Sequence, residues 1–219
     1  MTLKTRLDEI RRNDLIRAAY QVFMEYGLSG VTVSRIGERV GMSHGIVNYY
    51  FKNKDDLLHA VMRHAFRQIS NEAIERLKRV TTPRERIDAI IRANFAADVF
   101  CQETAAAWLS FYAHAHQNKQ FARLQTLYYR RLHSDLKHAL KQLIAPQEAE
   151  KVAKGISVMI DGMWVRRAMA NMEFTLEEVM ALINDYIDDH LGPRKLASAA
   201  SASSRARRSS RLKHTANAT

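Results

Sequence analysis

Between Thr32 and Lys54 the chain reads Thr-Val-Ser-Arg-Ile-Gly-Glu-Arg-Val-Gly-Met-Ser-His-Gly-Ile-Val-Asn-Tyr-Tyr-Phe-Lys-Asn-Lys. That spacing accommodates two short helices joined by a tight turn and little else. Val33, Ile36 and Val40 fall at i, i+3 and i+7, so the first helix has one apolar face. Gly41 supplies the backbone freedom of the turn, and Ser43 is a good N-cap for the second helix. In that second helix Ile46, Val47 and Phe51 are expected to face inward, which leaves His44, Asn48, Tyr49 and Tyr50 near the surface. A helical pair that offers donors and rings from its second member is the helix-turn-helix arrangement for reading a major groove. An ordinary helical hairpin is the alternative.

The flanks add a helix on each side. Upstream, Leu15, Ala19, Val22 and Tyr26 make one stripe with Ile16 and Phe23 beside it, and the helix is expected to stop at Gly27 in a left-handed C-cap. Downstream, Asn53 can cap a long helix with Asp55 and Asp56 at its positive end. Leu58, Val61, Ala65, Phe66, Ile69, Ala73 and Leu77 then carry an apolar stripe to about Val80. A three-helix head, the run from Tyr49 to Leu58 and a long fourth helix together resemble the tetracycline-repressor (TetR) family of one-component bacterial regulators, over about residues 10–60. Placement on the exposed faces, taken with this resemblance, implies that His44, Asn48 and Tyr49 meet base edges of double-stranded DNA. Thr32, Ser34, Arg35, Tyr50 and Lys54 are expected to hold phosphates, with Ser43 and Gly45 completing the DNA-facing set.

Charge is distributed in support of that division. The formal net charge is +11 over 219 residues. Residues 1–54 carry a net +4, residues 193–219 a net +7, and the segment 55–192 is neutral. Positive charge therefore sits on the head and the tail, where a polyanion would be met. The tail, rich in Ser, Ala and Arg, has too few large apolar side chains to offset its ordering entropy and reads as disordered. With 47% hydrophobic residues, eight Gly and three Pro, an all-α chain with a sizeable core is the economical reading. No apolar span is long enough to cross a membrane, and the N-terminus lacks a secretory core, so the expected location is the cytoplasm. The single Cys101 sits among apolar residues and reads as core filling rather than a redox group.

The neutral body is expected to form helices at about 84–100, 103–116, 120–144, 147–170 and 175–190, with Thr82 and Pro83 starting the first of them. The last two carry broad apolar surfaces, Val152, Ile156, Met159, Ile160, Met163 and Met169 on one and Leu176, Val179, Met180, Leu182, Ile183 and Ile187 on the other. Such surface suggests a partner, here a second copy of the chain. Trp108, Phe111 and Tyr112 share a helical face, and Asp161 interrupts an apolar stretch beside Gly162 and Trp164. Rings with one acid suit an organic cation. Equally, the rings are plain core and Asp161 bridges a neighbouring element.

A second resemblance bears on that choice. Glu9-Ile10-Arg11-Arg12, Gly45-Ile46-Val47, Ala107-Trp108-Leu109-Ser110-Phe111-Tyr112, Arg123-Leu124-Gln125, Arg130-Arg131-Leu132 and Ile160-Asp161-Gly162-Met163-Trp164-Val165-Arg166 are similar to the choline-responsive repressors of glycine-betaine synthesis within that family. The similarity covers most of residues 9–191. It implies a dimeric DNA-binding repressor released by choline, betaine aldehyde or a related amine bound at Trp108, Phe111, Tyr112, Asp161 and Trp164. Two departures stand out. Tyr112 replaces a second tryptophan, and the basic tail is long. A regulator sensing another small molecule and a nucleoid-type protein coating DNA are the alternatives. No nucleophile elbow, phosphate loop, dinucleotide fingerprint or metal-ligand spacing appears, so neither an enzyme, a cofactor nor a metal is expected.

Overall fold

Two apolar stripes meet edge to face at the centre of the molecule. In this computed structural model, which describes residues 3–95, 100–169 and 175–192, Phe23 of the first helix sits 6.0 Å from Trp108 with their rings nearly perpendicular. The chain builds α1 (Leu3–Gly30), α2 (Val33–Val40), α3 (His44–Tyr50), α4 (Lys54–Leu77), α5 (Pro83–Ala93), α6 (Gln102–Gln117), α7 (Lys119–Leu140), α8 (Pro146–Ala168) and α9 (Leu176–Leu191). The described residues are thus all-α. Head helices α1 to α3 pack together, α1 also packs on α4 and α6, and α4 packs on α5 and α7. In the body α8 lies against α6, α7 and α9.

Local signals set most boundaries. The Asn53 side chain accepts from Asp56 N at 2.8 Å and starts α4, with Asp55 and Asp56 in the first turn. Thr82 and Glu85 form a reciprocal capping box with Pro83 at the first position of α5. Gly41 ends α2 in the left-handed region, φ 65° and ψ 32°. At Gly27 the left-handed cap is replaced by a kink. Its φ of 67° and ψ of −174° lie in a region essentially reserved for glycine, and helix resumes to Gly30.

Several expectations need correction. Tyr26 is exposed and carries the Arg35 guanidinium over its ring at 4.6 Å instead of joining the Leu15–Val22 stripe. Ile46 is also exposed, because the seven-residue α3 has Val47 as its buried residue. Helix α5 ends at Ala93 rather than near residue 100, and α7 at Leu140 rather than 144. Cys101 is half-exposed at the N-cap of α6, its thiol donating to Thr104 Oγ1 at 3.4 Å, so it does not fill the core. The basic tail from Pro193 and the expected break near Asn171 lie outside the described residues.

Candidate nucleic-acid interface and effector pocket

The reading head is held rigid by contacts that the short helices could not supply alone. Arg39 on α2 donates two hydrogen bonds to the Glu25 carboxylate on α1, at 2.6 and 2.7 Å. That bidentate bond holds the Glu25 carboxyl below its usual range. Thr32 accepts from Arg35 N and caps α2, and the Arg35 guanidinium donates to Gly30 O at 3.1 Å. Val47, almost fully buried, anchors α3. His44, Gly45, Asn48 and Tyr49 are left outward, and Ser43 stands exposed at the N-cap without a side-chain capping bond. Tyr49 is 73% exposed and edge-on to Tyr50, a costly placement for a ring unless something covers it.

The structure brings Thr32, Asn48 and Lys54 around one cleft of about 540 Å³ where α2, α3 and α4 begin or end. Ser34, Arg35 and Tyr50 are already engaged within the head. Ser34 Oγ donates to Glu38 at 3.1 Å, and the half-buried Tyr50 hydroxyl donates to Asp8 at 3.2 Å. Those bonds position the reading helices.

In the body, Trp108, Tyr112, Asp161 and Trp164 line one cavity, together with Phe66 and Ile69 of α4, Asn94, Tyr128 of α7 and Ile160. Phe111 does not line it. That ring is fully buried behind the wall, against Phe66 and Phe121. Sequence reasoning missed Phe66, Asn94 and Tyr128, since they arrive from other elements. The adjacent Tyr128-Tyr129 pair and the buried polar Asn94 were the available signals. Tyr128 stacks on Phe66 at 4.6 Å and its hydroxyl donates to Asn94 Oδ1. Trp164 Nε1 donates to Asn94 O at 3.1 Å, and Asn94 Nδ2 to Ile90 O at 2.8 Å. One buried asparagine, through its side-chain and backbone oxygens, therefore holds two walls of the cage.

Asp161 accepts from the Tyr129 hydroxyl at 3.0 Å and has no cationic partner among the described residues. Burial lifts its carboxyl to about 6, against that hydrogen bond, which favours the charged form. Burial also pushes the phenols of Tyr112 and Tyr128 upward and that of Tyr129 to about 12, so all three remain protonated donors. The cavity is partly open to solvent and, as it stands, has room for little more than one water molecule. A crevice of about 420 Å³ between α4, α5 and α7 shares Ile69, Asn94 and Tyr128 with it.

Beside the Phe23–Trp108 contact, a hydrogen bond ties this pocket to the head. Ser110, on the same helix as Trp108 and Tyr112, accepts a hydrogen bond from Leu28 N at 3.0 Å, just past the Gly27 kink, and donates to Ala107 O at 2.6 Å.

Among known proteins, residues 15–61 match the bacterial regulatory proteins of the tetR family. Residues 83–192 match the BetI-type transcriptional repressor C-terminal domain. The HTH-type transcriptional regulator BetI of Brucella anthropi is 42% identical over 184 residues, 84% of this chain and 95% of its own. BetI of Rhizobium meliloti is 37% identical over 86% of this chain and 93% of its own. A transcriptional regulator from Saccharomonospora viridis, solved in complex with choline, superposes with a TM-score of 0.71 at 18% identity, over 82% of this chain and 96% of that one. Another, from Pseudomonas aeruginosa, gives 0.70 at 22% identity over 86% and 94%. Matched in both halves, the chain belongs to the TetR family of bacterial transcriptional regulators, with a C-terminal domain of the BetI repressor type.

Proposed function

We propose that this regulator is a dimeric repressor of choline and glycine-betaine metabolism genes, working in the cytoplasm and released from its operator by choline or betaine aldehyde. The observation that carries the reading is Asp161, a half-buried carboxylate without a cationic partner among the described residues, in a cavity also lined by Trp108, Tyr112, Tyr128 and Trp164. A quaternary ammonium offers such a site a positive charge that needs no hydrogen bonds, and ring faces attract it. The BetI relatives and the choline-bound neighbour support the same ligand class. We divide the chain into a DNA-binding head (1–54), a ligand-binding and dimerisation body (55–192) and a basic tail (193–219). In the head, the exposed side chains of His44, Asn48 and Tyr49 read bases while Thr32 and Lys54 flank the backbone.

The contracted cavity suggests how release works. A cation can seat only if the rings move outward, so the ligand favours a body shape with a wider cage. A ligand shifts such an equilibrium by its differential affinity for the two shapes. Displacing Trp108 and Tyr112 displaces α6, and the Ser110 bond to Leu28 carries that displacement to the head. Calorimetry with choline on wild type and Trp108→Leu tests the cage. Leucine keeps apolar volume in a nearly buried site, so the melting temperature should report a folded variant while affinity falls by about 0.5–2 kcal/mol. Equal binding by both proteins would remove Trp108 from the site, and no binding by wild type would rule out choline.

A further inference from the structure

A groove runs between α1 and the stretch of α4 from Asp56 to Asn71, lined by residues that neither α3 nor the cage contributes. Two adjoining hollows form it, of about 580 and 650 Å³. Arg12, Arg63 and His59 line the first, Arg17 and Asn71 the second, and both share Asn13, His64 and Arg67. Among these residues Asp56 is the one carboxylate. Arg17 is held by Asp14 at 2.5 Å, and Arg12 lies over the Phe51 ring at 4.9 Å. Arg63 and Arg67, one turn apart on α4, have no carboxylate within ion-pair distance among the described residues. Burial, with Arg67 and Arg17 nearby, holds His64 below the ordinary imidazole range. That favours the uncharged ring, whose Nε2 lies 3.4 Å from Gln68 Nε2.

Positive charge of one sign lining a concave surface concentrates anions there. Guanidinium groups match phosphoryl oxygens two at a time. Helix α4 starts at Lys54 beside the reading helix, and a rise of 1.5 Å per residue puts Arg67 about 20 Å further along its axis. There α4 turns to packing on the body. We propose that this groove is a second ligand site, taking a small anion that carries phosphoryl groups, with Arg63 and Arg67 as its principal donors and His64 and Asn13 beside them.

The test is a calorimetric titration of tripolyphosphate into the full-length, DNA-free protein and into Arg63→Gln/Arg67→Gln, at constant ionic strength set with sodium chloride. The salt dependence of DNA binding is measured on both proteins. Both side chains are exposed, so the variant should melt as wild type does. The expected result is saturable binding at one site per chain, weakened at least about tenfold in the double variant, with the salt slope for DNA unchanged. A variant whose salt slope drops by about two, without saturable tripolyphosphate binding in wild type, would assign the phosphoryl groups to DNA and overturn the small-ligand site. Binding that persists undiminished in the variant would belong to the basic tail and overturn it as well. No binding and no change in slope would make the groove a solvated surface and overturn the site too.

Discussion

Asp161 ties charge, stability and ligand together in one side chain. Its folded-state carboxyl is raised from 3.8 to about 6, so the folded protein holds the proton more tightly than the unfolded chain. That contribution to stability is present below about pH 4 and lost as pH rises through about 6. Asp161→Asn should therefore flatten this part of the stability profile and raise stability at pH 7. The gain should be about 1–2 kcal/mol after allowing for the group's partial exposure, readable by denaturant titration at pH 4 and 7. Choline binding should move the opposite way with pH. The cation needs the carboxylate, so wild-type affinity should rise between about pH 5 and 7, and Asp161→Asn should lose both the rise and about 2 kcal/mol of binding. A choline affinity independent of pH across that range would separate Asp161 from the ligand.

At the scale of elements, what was legible in the sequence was what is local. The turn at Gly41, the caps at Asn53 and Thr82 and the apolar stripe of α1 each depend on residues within a few positions of one another. The cage depends on residues that are not. Trp108 and Tyr112 share one helix with Phe111, yet α4 and α7 approach from a side that turns Phe111 inward and brings Phe66 and Tyr128 in its place. Helical spacing alone cannot tell these rings apart. Likewise Ile46 looks inward by composition, but α3 is too short to bury both it and Val47. Three substitutions test this scale. Ser110→Ala removes the acceptor of Leu28 N and should cost about 1 kcal/mol of stability. It should leave choline affinity of the free protein nearly unchanged while reducing choline's effect on DNA binding; an undiminished effect would exclude this link. In the head, Asn48→Ala should cost about 1–3 kcal/mol and blur sequence choice at one operator position. Lys54→Ala should weaken binding to all DNA and lower the salt slope by about one. A footprint titration across salt concentrations separates the two.

For the whole molecule, most of the apolar surface expected to meet a partner is used within the chain, where Val152, Ile156, Ile160, Val179, Met180, Ile183 and Ile187 are buried, and a smaller exposed patch on the last two helices is left to cover. Val158 is 70% exposed and Met169 56% on the α8 side, and Leu182 is 45% exposed on α9, with Gly162 open between them. A second copy of the same face would cover them, and sedimentation should show a dimer at micromolar concentration without DNA. Two heads in that dimer would engage half-sites spaced by about 34–36 Å or a multiple of it. Effector and operator then act on one pair of body shapes, so their influence is mutual. The measurement that bears most directly on this account is the affinity of the dimer for its own promoter DNA, with and without saturating choline, paired with choline affinity on free and DNA-bound protein. The account predicts that choline weakens DNA binding about 5- to 150-fold and that DNA weakens choline binding by the same factor. DNA affinity that stays constant while choline demonstrably fills its site would contradict it.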